Sequence, residues 1–242
     1  MRSASKRRRF RHTPRSSVGR VLDLLLPRRC VVCACGGTLL CHGCASGLPR
    51  LTPPLCARCG APTAWPVSRC RECAGRRLSF ATARAAAPYE AGIRRIITAW
   101  KERGLRRLAA EAAALVVERL PRPDCDVVAF VPADRGRRLE RGYHPAERLA
   151  AELAAAWALP CEPLLRRTGS STPQRGLPLA ERRRNVRAAF GSLAASGVVV
   201  LVDDVYTTGA TADAAASALR LAGAVQVDVL TFARTIRTPR LG

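Results

Sequence analysis

Four C-x-x-C pairs crowd into one short part of the chain: Cys30/Cys33, Cys41/Cys44, Cys56/Cys59 and Cys70/Cys73. Such a pair turns two thiolates to one side of a tight knuckle, where they hold half of a tetrahedral ion. Two knuckles close a four-sulfur site of the kind structural zinc prefers. Eight cysteines therefore predict two zinc sites. Sequential pairing, Cys30/Cys33 with Cys41/Cys44 and Cys56/Cys59 with Cys70/Cys73, closes the shorter loops; a crossed arrangement, first pair with third, is the alternative. Disulfides suit a secreted chain, but VLDLLL at 21–26 is too short for the apolar core of a leader and carries Asp23. An iron–sulfur cluster remains open. Cys35 and His42 are spare donors beside the first site and read as bystanders; Cys125 and Cys161 read as ordinary buried residues. A closed four-cysteine site has no open position for substrate. Its zinc is expected to be structural, folding a segment too small to bury a core of its own.

Composition changes along the 242 residues. Residues 1–20 hold no acid and many basic residues, and read as a disordered basic tail. Residues 21–80 carry the paired cysteines with many prolines, and read as a double zinc ribbon. From 85 to 242 apolar strands alternate with Ala/Leu/Arg helices. Helical spacing runs over 93–120, broken at Gly104. A strand is expected at 126–131, a helix at 145–159 with Pro in its first turn, a strand at 198–202, a helix at 211–223 with Gly223 after its end, and a strand at 225–234. Such alternation implies a parallel sheet with helices on both faces. No apolar run approaches the about 18 residues of a membrane span, so the expected location is the cytoplasm. The net charge of +23 attracts polyanions, both nucleic acid and phosphorylated metabolites. Only Lys6 and Lys101 among the 41 basic residues are lysine, the mark of a GC-rich codon bias as much as of a nucleic-acid surface.

The apolar run VVVLV at 198–202 leads directly into Asp203 and Asp204, then Val205, Tyr206, Thr207, Thr208, Gly209, Ala210 and Thr211. A run apolar at every position suits a central parallel strand, and open sheets bind ligands at the carboxyl ends of such strands. The following helix offers unpaired N–H groups and a positive dipole end to a phosphate. The threonines add donors, and Gly209 lets the backbone approach closely. The carboxylates, pure acceptors, suit the hydroxyls of a vicinal diol. A sugar phosphate satisfies both halves. The alternative for the two acids is a turn plus a helix cap.

VLVDDVYTTGAT resembles the phosphoribosyl-pyrophosphate (PRPP) motif of the type I phosphoribosyltransferases. With the cysteine pairs, WKERG at 100–104, VPADRGRRLERGYHPAE at 131–147 and TPQRGLPLAERRRNVRAAF at 172–190, the chain from about residue 21 is similar to the ComF family. The resemblance implies an α/β fold: an N-terminal double zinc ribbon followed by a type I phosphoribosyltransferase-like parallel sheet flanked by helices. It implies that Asp203 and Asp204 contact ribose, that 207–211 cradles the 5′-phosphate, and that Arg135, Arg137, Arg138, Arg141 and Gly142 lie where pyrophosphate would, with Mg²⁺ accompanying PRPP. It implies either phosphoribosyl transfer to an unidentified acceptor or a non-catalytic role in natural competence, handling incoming single-stranded DNA alongside other competence proteins. His144-Pro145 replaces the family's Asn-Gln, so His144 is either a site donor or a cap of the following helix. Gln174, Arg182, Arg183, Arg184 and Asn185, in a Pro/Gly-rich segment, form either a candidate lid or a contact for a nucleic-acid backbone. The chain has no long hood after the last strand, and a ribbon or the helices of 93–120 are expected to cover the site instead. Trp65 is expected to pack in its knuckle, with base stacking as the alternative.

Overall fold

The computed structural model describes residues 28–133, 142–168 and 189–236; the tail, the four loop arginines and the candidate lid lie outside them. A five-stranded sheet forms the centre, in the order β1-β7-β6-β2-β3 and parallel throughout. Its strands are β1 (Ala83–Pro88), β2 (Val127–Phe130), β3 (Cys161–Glu162), β6 (Val198–Tyr206) and β7 (Gln226–Arg234). A two-stranded antiparallel piece, β4 (Leu165–Arg167) with β5 (Phe190–Ser192), stands beside it. Neither β1 nor the short β3, β4 and β5 is announced by a distinctive sequence run.

Alternation along the strands feeds two cores, as a pleated sheet requires. Val128, Phe130, Val200, Val202, Leu230 and Phe232 face one; Val127, Ala129, Val199, Leu201, Val227 and Val229 face the other. The first core is covered by α2 (Ala91–Glu102), α3 (Leu108–Arg119) and α4 (Pro145–Trp157). In α2 the stripe Ile93, Ile96, Ile97 and Trp100 follows helical spacing and is buried. The expected break sits at Gly104, whose φ of +67° suits glycine. The second core is covered by α5 (Ala210–Leu221), rich in buried alanine.

The two ribbons join opposite cores. Cys30, Leu40 and Leu48 pack with the α2–α4 side, next to the short helix α1 (His42–Gly47); Cys56, Cys59, Cys73, Leu78 and Phe80 pack with the α5 side. No helix among the described residues is long and apolar enough to cross a membrane.

Candidate functional site: a sheet-edge pocket and two thiol clusters

β6 lies between β7 and β2. The helix after β2 covers one face of the sheet and the helix after β6 covers the other. Connections leaving adjacent strands in opposite directions open a crevice at their carboxyl ends, where open α/β sheets bind ligands.

There β6 is longer than the apolar run suggests. Its ladder with β7 continues through Asp203–Thr231, Val205–Ala233 and Tyr206–Arg234. Asp203 and Asp204 therefore lie within a strand and not beyond its tip, and successive side chains of a strand point to opposite faces. Asp204 turns to the face covered by α2–α4, where Lys101 of α2 meets it at 2.6 Å. Asp203 lines a cleft with Val205, Tyr206, Thr207, Gly209, Thr211, Ala212 and Thr231, enclosing about 230 Å³ continuous with solvent. Burial, and next the charge of Asp204, push the Asp203 carboxyl up to about 7, against the Asp204 N–H, Lys101 and Arg167.

The turn after β6 is built for backbone exposure. Gly209 stands at the N-cap of α5 with φ +74°, and a Cβ there would strike the Tyr206 ring. The Ala210 N–H donates to the Thr208 hydroxyl at 3.3 Å, and no side chain caps the helix from Gly209. Thr207 and Thr211 reach the cleft; Thr208 and Ala210 do not line it.

The second ribbon and β7 brace this turn from behind. Arg76 donates to the Thr208 carbonyl at 2.7 Å, and the Ser79 N–H donates to the Asp213 carboxylate at 2.6 Å. Arg234, 1% exposed, donates to the Cys59 carbonyl at 2.5 Å, pairs with Glu72 at 2.8 Å and lies 5.2 Å from the Tyr206 ring centroid. The second ribbon thus buttresses the turn, and α2 reaches Asp204 through Lys101. Lys101, Arg76 and Arg234 were not predicted as site residues. Lys101 carried a signal, since it is one of only two lysines and sits in WKERG; a lone arginine at the end of a strand carries none.

On the β2 side, His144 is the N-cap of α4: its Nδ1 accepts from the Glu147 N–H at 2.9 Å, its Nε2 abuts the Ala133 amide, and it is 5% exposed. The structure gives it the capping role. Gly142 has φ +64°, and its carbonyl accepts from Arg106 at 3.2 Å. Arg135, Arg137, Arg138 and Arg141 lie outside the described residues. Across the crevice, Arg167 donates to the Pro132 carbonyl at 2.9 Å and stacks 4.8 Å from the Phe190 ring.

All eleven cysteines are free thiols, and the knuckles pair sequentially. Cys56, Cys59, Cys70 and Cys73 place their sulfurs within 4.8 Å of one another, as do Cys30, Cys33, Cys35 and Cys41. Sulfurs bound at about 2.3 Å to one tetrahedral ion stand about 3.8 Å apart. Cys56–Cys73 at 3.6 Å, Cys59–Cys70 at 3.5 Å and Cys33–Cys41 at 3.6 Å come close to that spacing. Burial works against the Cys56 thiolate, yet the N–H groups of Cys59, Arg58 and Cys70 bring its pKa down to about 7. The amides at the Cys56 knuckle thus favour its ligating form, while burial raises the Cys59 and Cys73 thiols. Two four-cysteine zinc sites fit this donor set. Cys35, expected to stand aside, joins the first cluster, while His42 is exposed and remains outside it. Trp65 is 68% exposed and does not pack in its knuckle. Cys125 and Cys161 are partly buried, and burial raises both thiols.

Residues 21–74 match the family described as double zinc ribbon domain. The chain is 29% identical to Competence protein F of Haemophilus influenzae over 211 residues, 81% of this chain and 90% of the relative. It is 28% identical to the DNA utilization protein YhgH of Salmonella typhi over 232 residues, 88% of this chain and all of the relative. Among solved structures, a glutamine PRPP amidotransferase from B. subtilis aligns at 25% identity and TM-score 0.37 over 52% of this chain. That alignment spans a quarter of the enzyme's chain. An adenine phosphoribosyltransferase aligns at 18% identity and TM-score 0.29, over 56% of this chain and 74% of its own.

Proposed function

We propose that the chain is a ComF-family protein and that the cleft at the end of β6 binds PRPP or a related sugar phosphate. The observation that carries this is the juxtaposition, on one cleft, of the Asp203 carboxylate with the open N-terminus of α5. The turn 207–211 takes the 5′-phosphate on backbone N–H groups and threonine hydroxyls. Asp203 accepts from the ribose hydroxyls, and Asp204 shares that task when its partner Lys101 releases it. The pyrophosphate falls to the loop after β2, the segment that carries Arg135, Arg137, Arg138, Arg141 and Gly142; guanidinium groups suit it by bidentate hydrogen bonding.

Magnesium fits this donor set, because a partly buried carboxylate on the cleft wall is a hard oxygen donor. Asp203 would hold it, directly or through water, and the ion would offset the charge of the phosphates. Transfer of the phosphoribosyl group to a nitrogen nucleophile, with pyrophosphate leaving, is the reaction such a site would run. Its acceptor is not named by any residue in the cleft.

A second role is favoured by the net charge of +23 and by the relatives named for competence and DNA utilization: binding of single-stranded DNA, within the cytoplasm and beside other competence proteins. The two readings separate in calorimetric titrations of the whole protein with PRPP and Mg²⁺, and with a single-stranded oligonucleotide over a salt series. Asp203→Asn/Asp204→Asn should weaken PRPP binding at least tenfold, about 1.4 kcal/mol, and leave DNA binding nearly intact. PRPP affinity unchanged in the double variant would remove the first role. DNA affinity flat against salt would remove the second, since phosphate contacts release counterions.

A further inference from the structure

The two ribbons are repeats of one another, and the repeat isolates what is unusual in the first. In the second ribbon, Gly60 N–H donates to the Cys56 carbonyl at 2.9 Å and Cys56 N–H donates to Ala61 at 2.7 Å. In the first, Ala34 N–H donates to Cys30 at 2.8 Å and Cys30 N–H donates to Cys35 at 2.8 Å. Matching isolated bridges, Arg29 with Gly36 and Leu55 with Pro62, close both hairpins. The later knuckles match too: Cys41 N–H approaches the Cys30 sulfur at 3.5 Å and Cys70 N–H the Cys56 sulfur at 3.3 Å. By this correspondence Cys44 is the counterpart of Cys73, Ala34 of Gly60, and Cys35 of Ala61.

The first site therefore holds one thiol more than the second. Its four mutually close sulfurs are those of Cys30, Cys33, Cys35 and Cys41. The expected fourth ligand, Cys44, lies outside that set of four, yet its thiol approaches those of Cys41, Cys33 and Cys30, and its N–H stands 3.4 Å from the Cys41 sulfur. Ala34 sits at φ +64°, where Gly60 sits at +69°. The first ribbon keeps the left-handed knuckle turn without a glycine, and that turn brings Cys33 and Cys35 round to one point. Both are exposed, whereas Cys56, Cys59 and Cys73 of the second site are buried. A tetrahedral zinc takes four thiolates, and five are within reach.

We propose that the first ribbon is an exchangeable metal site in which Cys35 and Cys44 compete for the fourth position on a thiophilic divalent ion. The second ribbon, with alanine at the matching position and three of its four cysteines buried, holds its ion inertly. Thiolate-for-thiolate exchange conserves charge and releases no electron, so it needs no oxidant. It opens a path by which the first ion is handed to an external thiol or chelator, because an incoming thiolate within the site displaces an outgoing one. This holds whatever the sheet edge binds.

The test uses the full chain, with metal counted by elemental analysis and thiolate ligands counted from the charge-transfer band of the Co²⁺-substituted protein. Cys44→Ala should retain two ions and the eight-thiolate band of the wild type. Cys73→Ala should lose one thiolate's share of the band or the second ion altogether, and Cys35→Ala/Cys44→Ala should do the same at the first site. A Cys44→Ala protein that loses as much band or metal as Cys73→Ala would overturn the proposal. If Cys44→Ala does not fold, Cys35→Ala keeps the question open to measurement. It should slow transfer of the first ion to a competing chelator several-fold, and an unchanged rate would equally overturn the proposal.

Discussion

Replacing Asp203 by asparagine should stabilise the protein above neutral pH. The Asp203 carboxyl titrates near 7 in the folded chain, against an ordinary 3.8, because burial and then the neighbouring Asp204 disfavour its charge. The folded state thus holds its proton more tightly than the unfolded state. By linkage, the group leaves stability unaffected below about pH 3.8, costs increasingly as pH rises from there to 7, and costs a constant amount above 7. At about 1.4 kcal/mol per pH unit the ceiling is about 4 kcal/mol. Water reaches this partly buried side chain, which brings the expected cost to about 1–3 kcal/mol. Asparagine keeps the shape and carries no charge. Its thermal midpoint should exceed the wild type's by about 3–10 °C at pH 8.5, at about 2–4 °C per kcal/mol for a chain of this size. About half of the free-energy gain should remain at pH 5.5, midway through the titration window. Scanning calorimetry or chemical denaturation of both proteins at the two pH values measures this. A variant no more stable than the wild type at pH 8.5, or a gain equal at both pH values, would show that Asp203 is not held against its charge. The expected result would mark it as a group retained at a cost to stability, the pattern found where function dictates a residue.

Lys101→Met removes the partner of a carboxylate that is only 15% exposed; denaturant unfolding at pH 8 should show a loss of about 1–2 kcal/mol, between the values for exposed and buried pairs. Gly209→Ala puts a Cβ into the Tyr206 ring at a φ of +74°, and a loss of about 2 kcal/mol together with failure to bind PRPP is expected. Arg234→Ala leaves Glu72 and the Cys59 carbonyl without their buried donor; unfolding should come about 3 kcal/mol earlier, and proteolysis should open the second ribbon before the first.

The knuckles, the helix starts and the threonine turn were legible in the sequence because each depends on residues within a few positions of one another. Cys-x-x-Cys turns close on themselves, Pro145 follows its cap at His144, and Gly209 precedes α5 directly. The run at 198–202 announced a central strand because burial on both faces leaves no polar position. What stayed illegible was whatever depends on strand order. β7 inserts between β1 and β6, and its pairing carries β6 through both acids, so that they face opposite sides of the sheet. That order brings Lys101 from α2 onto Asp204, sets Arg234 of β7 behind Tyr206, and separates the ribbons onto opposite faces. Cys35 belongs with these: its spacing in the chain places it near the first site, but only the folded hairpin turns its sulfur onto the same point as the others. Local spacing decides which turns and helices form. Which distant groups share a low-dielectric site is decided by how those elements stack, because burial and pairing energies arise only once non-neighbouring segments exclude water between them.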